Sequence, residues 1–141
     1  MTAVVVVDAS VMLKWVVTEA GSDEANRLLT HLAEGSLSLV APEHAVGEVG
    51  NGLRKRVAQG VLDADDALAA FDALALLDLE LVGGSDHWFR SLRGALDWGV
   101  TTYDALYVQL AVDLGVELIT ADTRLTASSL QQSLPVRLLT A

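Results

Sequence analysis

A chain of 141 residues is long enough for one domain with a substantial core, and its formal net charge of −10 argues against a phosphate-rich partner unless bound cations reverse the local sign. A composition that is 52% hydrophobic, with a mean hydropathy of +0.41, leaves more apolar surface than one fold needs, so some of it is expected to meet a partner. Cysteine is absent, which excludes disulfides and thiolate metal sites, and His31, His44 and His87 have no zinc-like spacing.

The first element is a strand over Ala3–Val7, four valines after an alanine, as expected of a strand covered on both faces. Asp8 and Lys14 interrupt this most apolar stretch, so it falls short of the roughly 18 to 20 residues of a membrane helix. The N-terminus lacks a basic region, which argues against a cleaved signal peptide, and the expected compartment is the cytoplasm. Ser10 is expected to cap a helix running to Val17, followed by a helix over Ser22–Glu34 and a strand over Ser38–Val40. Pro42 is expected to open a helix that ends at Gln59 before Gly60. Asp63 caps a helix over Ala64–Leu77, Glu80–Val82 is a strand, and Asp86–Trp98 and Thr102–Leu114 are helices. A strand over Val116–Thr120, a helix over Asp122–Gln132 and a strand over Val136–Leu139 complete the chain. Strands alternating with helices imply one α/β domain over residues 1–141, a parallel sheet with helices on both faces.

Ligands in such sheets sit beyond the carboxyl ends of the strands. Asp8 directly follows the first strand, and Asp122 follows the fourth in "VELITADTRL". If those strands are neighbours the two carboxylates converge, although each also stands where aspartate is a favoured helix cap. In "PEHAVGEVGNGLRKRVAQG" the stripe Ala45, Val49, Leu53 and Val57 marks the core face, and Glu48 lies beside it. Gly47 and Gly50 flank Glu48, and mid-helix glycines, each costing about 1 kcal/mol relative to alanine, suggest the close approach of another backbone. On a wet face Glu48 would instead pair with Lys55 or Asn51. Asp104 in "TTYDALYVQLAVDLG" lies above Val108 and beside Tyr107 and Ala111, an apolar face, while Thr101 to Asp104 also fits a capping box.

Taken together, the four acids are more specific than any one of them. Two unit charges about 4 Å apart repel by about 4 kcal/mol at an effective dielectric of 20. Four converging carboxylates must therefore raise their own pKa values or bind divalent cations. Oxygen ligands without Cys or His select hard ions, Mg²⁺ or Mn²⁺, which lower the pKa of a bound water and neutralise charge on a phosphodiester.

The stretches "VVVVDASVMLKWVV", "PEHAVGEVGNGLRKRV" and "TTYDALYVQLAVDLGVELITADTRL" together resemble a PIN-domain ribonuclease of the VapC toxin type, over almost the whole chain. The resemblance implies a sheet ordered 3-2-1-4-5 and an acidic quartet at Asp8, Glu48, Asp104 and Asp122. Its strand-end serine or threonine matches Ser10, whose hydroxyl would contact a metal-bound water. It further implies Mg²⁺- or Mn²⁺-dependent endonucleolytic cleavage of RNA, a homodimer, and inhibition by a cognate antitoxin laid near the acidic pocket. The quartet supplies four of the 19 acids, a charge that two divalent ions would cancel locally. Lys14, Arg54, Lys55, Arg56 and Arg124 are the candidate RNA contacts, each equally compatible with a solvated basic face. Trp15, Trp88 and Trp98 are expected in the core or an interface rather than stacked on bases.

Four other functions fit parts of the pattern. A PIN nuclease of RNA processing without an antitoxin shares all of these residues, and a non-catalytic binding module differs only in lacking metal-dependent cleavage. A receiver-like phosphoacceptor domain would need paired acids after the first strand, an acceptor aspartate after the third and a lysine after the fifth, yet "LELVGG" carries no acid after its strand. A haloacid-dehalogenase-like phosphatase would need an aspartate where Ser10 stands.

Overall fold

The computed structural model describes residues 2–140. Five parallel strands, β1 (Ala3–Val7), β2 (Leu37–Pro42), β3 (Glu80–Val82), β4 (Glu117–Thr120) and β5 (Val136–Leu138), form one sheet in the order β3-β2-β1-β4-β5. Seven helices connect them: α1 (Ala9–Val16), α2 (Ser22–Ala33), α3 (His44–Ala58), α4 (Ala64–Leu74), α5 (Ser85–Trp98), α6 (Thr102–Leu114) and α7 (Thr123–Gln131). The chain steps one way from β1 to β3, then returns across β1 to β4 and steps the other way to β5. Right-handed crossovers in opposite directions place helices on both faces of the sheet, as the strand–helix alternation predicts. A receiver-type sheet, ordered 2-1-3-4-5, is excluded by this order.

Position in the sheet explains the sequence of each strand. β1 lies at the centre between β2 and β4, and Val5, Val6 and Val7 are buried, so no alternation of polar residues is possible there. α6 packs against β1, β2 and β4 with every residue from Ala105 to Ala111 buried. That burial includes Tyr107, among the largest fully enclosed side chains.

Three boundaries differ from expectation. Asp8, not Ser10, caps α1, and Ser10 lies in its first turn. Pro42 ends β2 instead of opening α3. It sits in register with Val82 of β3, and the Glu43 N–H donates to the Val82 carbonyl at 2.8 Å. β2 is longer than its central residues suggest because it pairs on both sides. α4 stops at Leu74, and residues 75–77 form turns. The other ends agree within one or two residues, the usual fraying of helix and strand termini.

The glycines of α3 also behave differently. A Cβ at Gly47 would meet nothing within 4 Å, while Gly50 faces the Phe71 ring at 3.4 Å, so no backbone approaches either one. The tight contact is at Gly52, where a Cβ would fall 2.7 Å from Leu13 Cδ1 of α1.

Candidate active site

The strand order reverses between β1 and β4, and the crevice beyond the carboxyl ends of strands at such a reversal is where open parallel sheets bind ligands. Val7 pairs with Ile119, so Asp8 leaves β1 beside Thr120, and Asp122 follows two residues later. The Ser10 hydroxyl donates to Asp8 Oδ1 at 2.5 Å, and the Thr120 hydroxyl donates to Oδ2. Each hydroxyl then accepts a backbone N–H from the turn that carries Asp122: Ala121 N reaches Ser10 Oγ at 2.9 Å, and Asp122 N reaches Thr120 Oγ1 at 3.0 Å. The two strand ends are thereby fastened around one carboxylate.

Asp8 is only 6% exposed. Burial pushes its pKa up to about 6, against the hydrogen bonds from Ser10, Thr120 and the Val11 N–H, and the Asp104 charge adds to the rise. Asp8 does cap α1 through Val11, and Asp122 caps α7 through Arg124 N at 2.9 Å and Leu125 N at 3.3 Å. A cap contributes about 1 kcal/mol. The penalty on the ionised Asp8 is larger, about 3 kcal/mol at about 1.4 kcal/mol per pKa unit. Asparagine would cap α1 without that penalty. Capping alone therefore does not account for a carboxylate at this position.

Asp104 stands in the first turn of α6, its N–H donating to Thr101 Oγ1 at 3.0 Å. Among the described residues the return bond of a capping box, from the Thr101 N–H to the carboxylate, is not made. Burial raises the Asp104 pKa, followed by the charges of Asp122 and Glu48, with Thr101 and Arg124 pulling the other way. Asp104 thus lies in the field of Asp122 and Glu48, and its own charge raises Asp8. It lines a cavity of about 440 Å³ with Thr101, Asp122 and Arg124.

Glu48 pairs with neither Lys55 nor Asn51, although its side chain is 39% exposed. Its Oε1 accepts the Tyr107 hydroxyl at 2.7 Å, and His44 Nε2 lies 2.9 Å away, off the angle of a good hydrogen bond. Burial alone would raise its pKa, but His44 and Tyr107 outweigh it and hold the carboxyl below its usual value. The Tyr107 hydroxyl in turn accepts the Ala9 N–H at 3.3 Å, which joins Glu48 to the residue following Asp8. Tyr107→Phe strips Glu48 of its donor and leaves a buried N–H unpaired. We expect a loss of about 1–3 kcal/mol, read by urea unfolding, without loss of the fold.

The donor chemistry of the four acids fits a hard divalent cation. Glu48 Oε2 and Asp122 Oδ2 accept no hydrogen bond from the described residues, so each keeps an oxygen free. Also among the described residues, no three carboxylate or imidazole groups close on one point. That spacing suits an ion held by one or two carboxylates that keeps several waters, the habit of Mg²⁺.

The basic candidates separate into two groups. Lys14 and Arg56 both bind Glu19, at 3.4 Å and 2.8 Å, and Lys14 also donates to the Ala20 carbonyl at 2.7 Å, so neither is offered to a ligand. Arg54 donates to Asn51 on an exposed face with Lys55. Arg124 is exposed at the cavity mouth, 4.0 Å from Asp122. Sequence reading missed Thr120 and His44. His44 stands one helical turn before Glu48, a spacing that could have revealed it.

Residues 5–128 match the PIN domain family. The chain is 38% identical over 111 residues to the ribonuclease VapC1 of Mycobacterium tuberculosis, covering 77% of this chain and 80% of that protein. PAE2754 from Pyrobaculum aerophilum superposes with a TM-score of 0.68 at 26% identity, over 91% of this chain and 87% of its own. VapBC2 from Rickettsia felis, solved bound to a DNA fragment from its promoter, shares the fold with a TM-score of 0.69 at 12% identity, over 97% and 99% of the two chains. The family match spans most of the chain, the superpositions agree with its five-stranded fold, and the chain belongs to the PIN-domain family.

Proposed function

We propose that this protein is a metal-dependent endoribonuclease and the toxin of a toxin–antitoxin pair. The observation that carries the reading is Asp104, at the reversal of the sheet in one cavity with Asp122 and raised in pKa by burial and then by the charges of Asp122 and Glu48, in a chain related to VapC ribonucleases. Asp8, Glu48, Asp104 and Asp122 would hold Mg²⁺ or Mn²⁺, no more than two of them directly and the others through water, and the ion when bound would neutralise phosphodiester charge and lower the pKa of water. Ser10 and Thr120 fix the Asp8 carboxylate, and Tyr107 and His44 fix that of Glu48. Hydrolysis needs a base for the proton of the attacking water. Asp104 lines the open cavity and is the group on this chain placed to take it.

The net charge of −10 makes RNA binding weak and strongly salt-dependent. Arg124, Arg54 and Lys55 are the cations left to meet the RNA backbone. Two patches of the apolar surplus suit partners. One is a cavity of about 370 Å³ between α3 and α4, lined by Leu53, Val57, Leu68 and Phe71, which suits an apolar antitoxin segment. The other is the exposed stripe Phe89, Leu92 and Leu96 on α5, which suits a second copy of the chain. Light scattering should give a dimer at micromolar concentration, and a strict monomer would remove the α5 stripe from the account.

Incubating total RNA with the protein and Mg²⁺ or Mn²⁺, then mapping ends, tests the activity. Discrete internal cuts support an endonuclease. A ladder receding from one end, or intact RNA, contradicts it.

A further inference from the structure

A second cavity, of about 470 Å³, opens beside the acids and shares Glu48 with them. Its wall is aromatic. Trp88 of α5 and Tyr103 of α6 are 44% and 53% exposed, and their rings meet edge to face at 85° with centroids 5.8 Å apart. A planar group laid on one ring meets the other edge-on. His44 packs against both rings, with centroids at 5.5 Å and 6.1 Å, and its side chain is 10% exposed. Its Nδ1 is buried without a hydrogen-bond partner among the described residues. Asn51 uses its carbonyl oxygen on Arg54 and keeps its amide donors free. Gly47 leaves the floor open.

We propose that this cavity is a nucleobase subsite, which takes one unpaired base of the RNA next to the phosphodiester at the acids. The inference rests on the nuclease reading, because the base is placed by its link to that phosphate. Several features support it. Bases stack on exposed aromatic rings with little regard to sequence, while unpaired polar groups at the pocket edge read the base. Here the reader is the Asn51 amide. The negative charge of Glu48 disfavours a phosphate in the cavity and favours the exocyclic amino groups of a base. Tyr103 adjoins Asp104 on the first turn of α6, so one helical turn presents a stacking ring and an acid side by side. Trp88, expected in a core or interface, is thereby assigned a binding role.

The test uses the metal-free protein with adenosine, cytidine, guanosine and uridine, together with cleavage of single-stranded RNA in Mg²⁺. Nucleosides should quench tryptophan fluorescence in the wild type, and Trp88→Phe should abolish the quenching. A Cβ at Gly47 meets nothing within 4 Å, so Gly47→Leu projects into the cavity and replaces a helical glycine, and its melting temperature should hold or rise. It should weaken nucleoside binding by about 5- to 150-fold, since base–aromatic stacking is worth about 1–3 kcal/mol per base. It should also erase the base preference next to the cut. Cleavage by Gly47→Leu at the wild-type rate with the same base preference, with no quenching in the wild type, would overturn the subsite and leave the nuclease reading intact. Quenching that depends on Trp88 in a protein that cuts no RNA would support base binding while the nuclease reading failed.

Discussion

Asp104→Asn is expected to abolish RNA cleavage, by on the order of 10²–10⁴-fold, while leaving the metal-free protein as stable as the wild type or more so. Both halves follow from the charges around Asp104. Its carboxylate lies in the field of Asp122 and Glu48, and removing its charge relieves that repulsion. The cap of α6 survives, because it runs from the Asp104 N–H to the Thr101 hydroxyl and does not use the carboxylate. Against this, the carboxylate loses its favourable interactions with Thr101, Arg124 and the helix N-terminus, the last about 0.3–1 kcal/mol. Asp8→Asn should behave alike, since asparagine caps as well as aspartate and carries no charge to bury. Both variants melting clearly lower without metal would favour a structural role, and retained cleavage in both would dismiss the catalytic assignment.

Metal-free stability should fall as pH rises from about 4 through about 6. The Asp8 pKa is raised on folding from 3.8 to about 6, so the folded state binds its proton more tightly than the unfolded state. The resulting stabilisation is fully present below 3.8 and is lost as pH passes 6, an effect of about 3 kcal/mol. Asp104, also raised, acts in the same direction. Glu48, held below its usual value, acts in the opposite direction, contributing stability that is lost on acidification. Urea unfolding in EDTA at pH 4.5 and 7.5 should show the fall in the wild type and much less of it in Asp8→Asn. Mg²⁺ should reverse the fall at pH 7.5, by about 2.7 kcal/mol at a hundredfold excess over its dissociation constant. A wild type that grows more stable with pH in EDTA would contradict the burial of a charged Asp8.

The parts of the fold that periodicity controls were legible from sequence. Four β-branched residues in a row admit little besides a central strand, and glycines at 60, 99 and 115 stop helices wherever neighbouring elements lie. Pro42 was not legible, because its place depends on a ladder with β3 that begins 38 residues later. Asp8 and Asp122 announced themselves by following strands. The supporting groups did not: Thr120 reads as an ordinary β-branched strand residue until β4 is set beside β1, and Tyr107 reads as core. His44 and Trp88 meet only because α5 crosses the start of α3, a contact that no local spacing encodes. The α3 glycines misled for a related reason, since the cavity beside Gly47 is open space and leaves no pattern in sequence.

The most direct measurement of the central claim is cleavage of a single-stranded RNA by wild type and Asp104→Asn, each in Mg²⁺ and each in EDTA. The account predicts cutting in one condition alone, the wild type with Mg²⁺. Equal cutting by both proteins in EDTA, or none by the wild type in either Mg²⁺ or Mn²⁺, would contradict it.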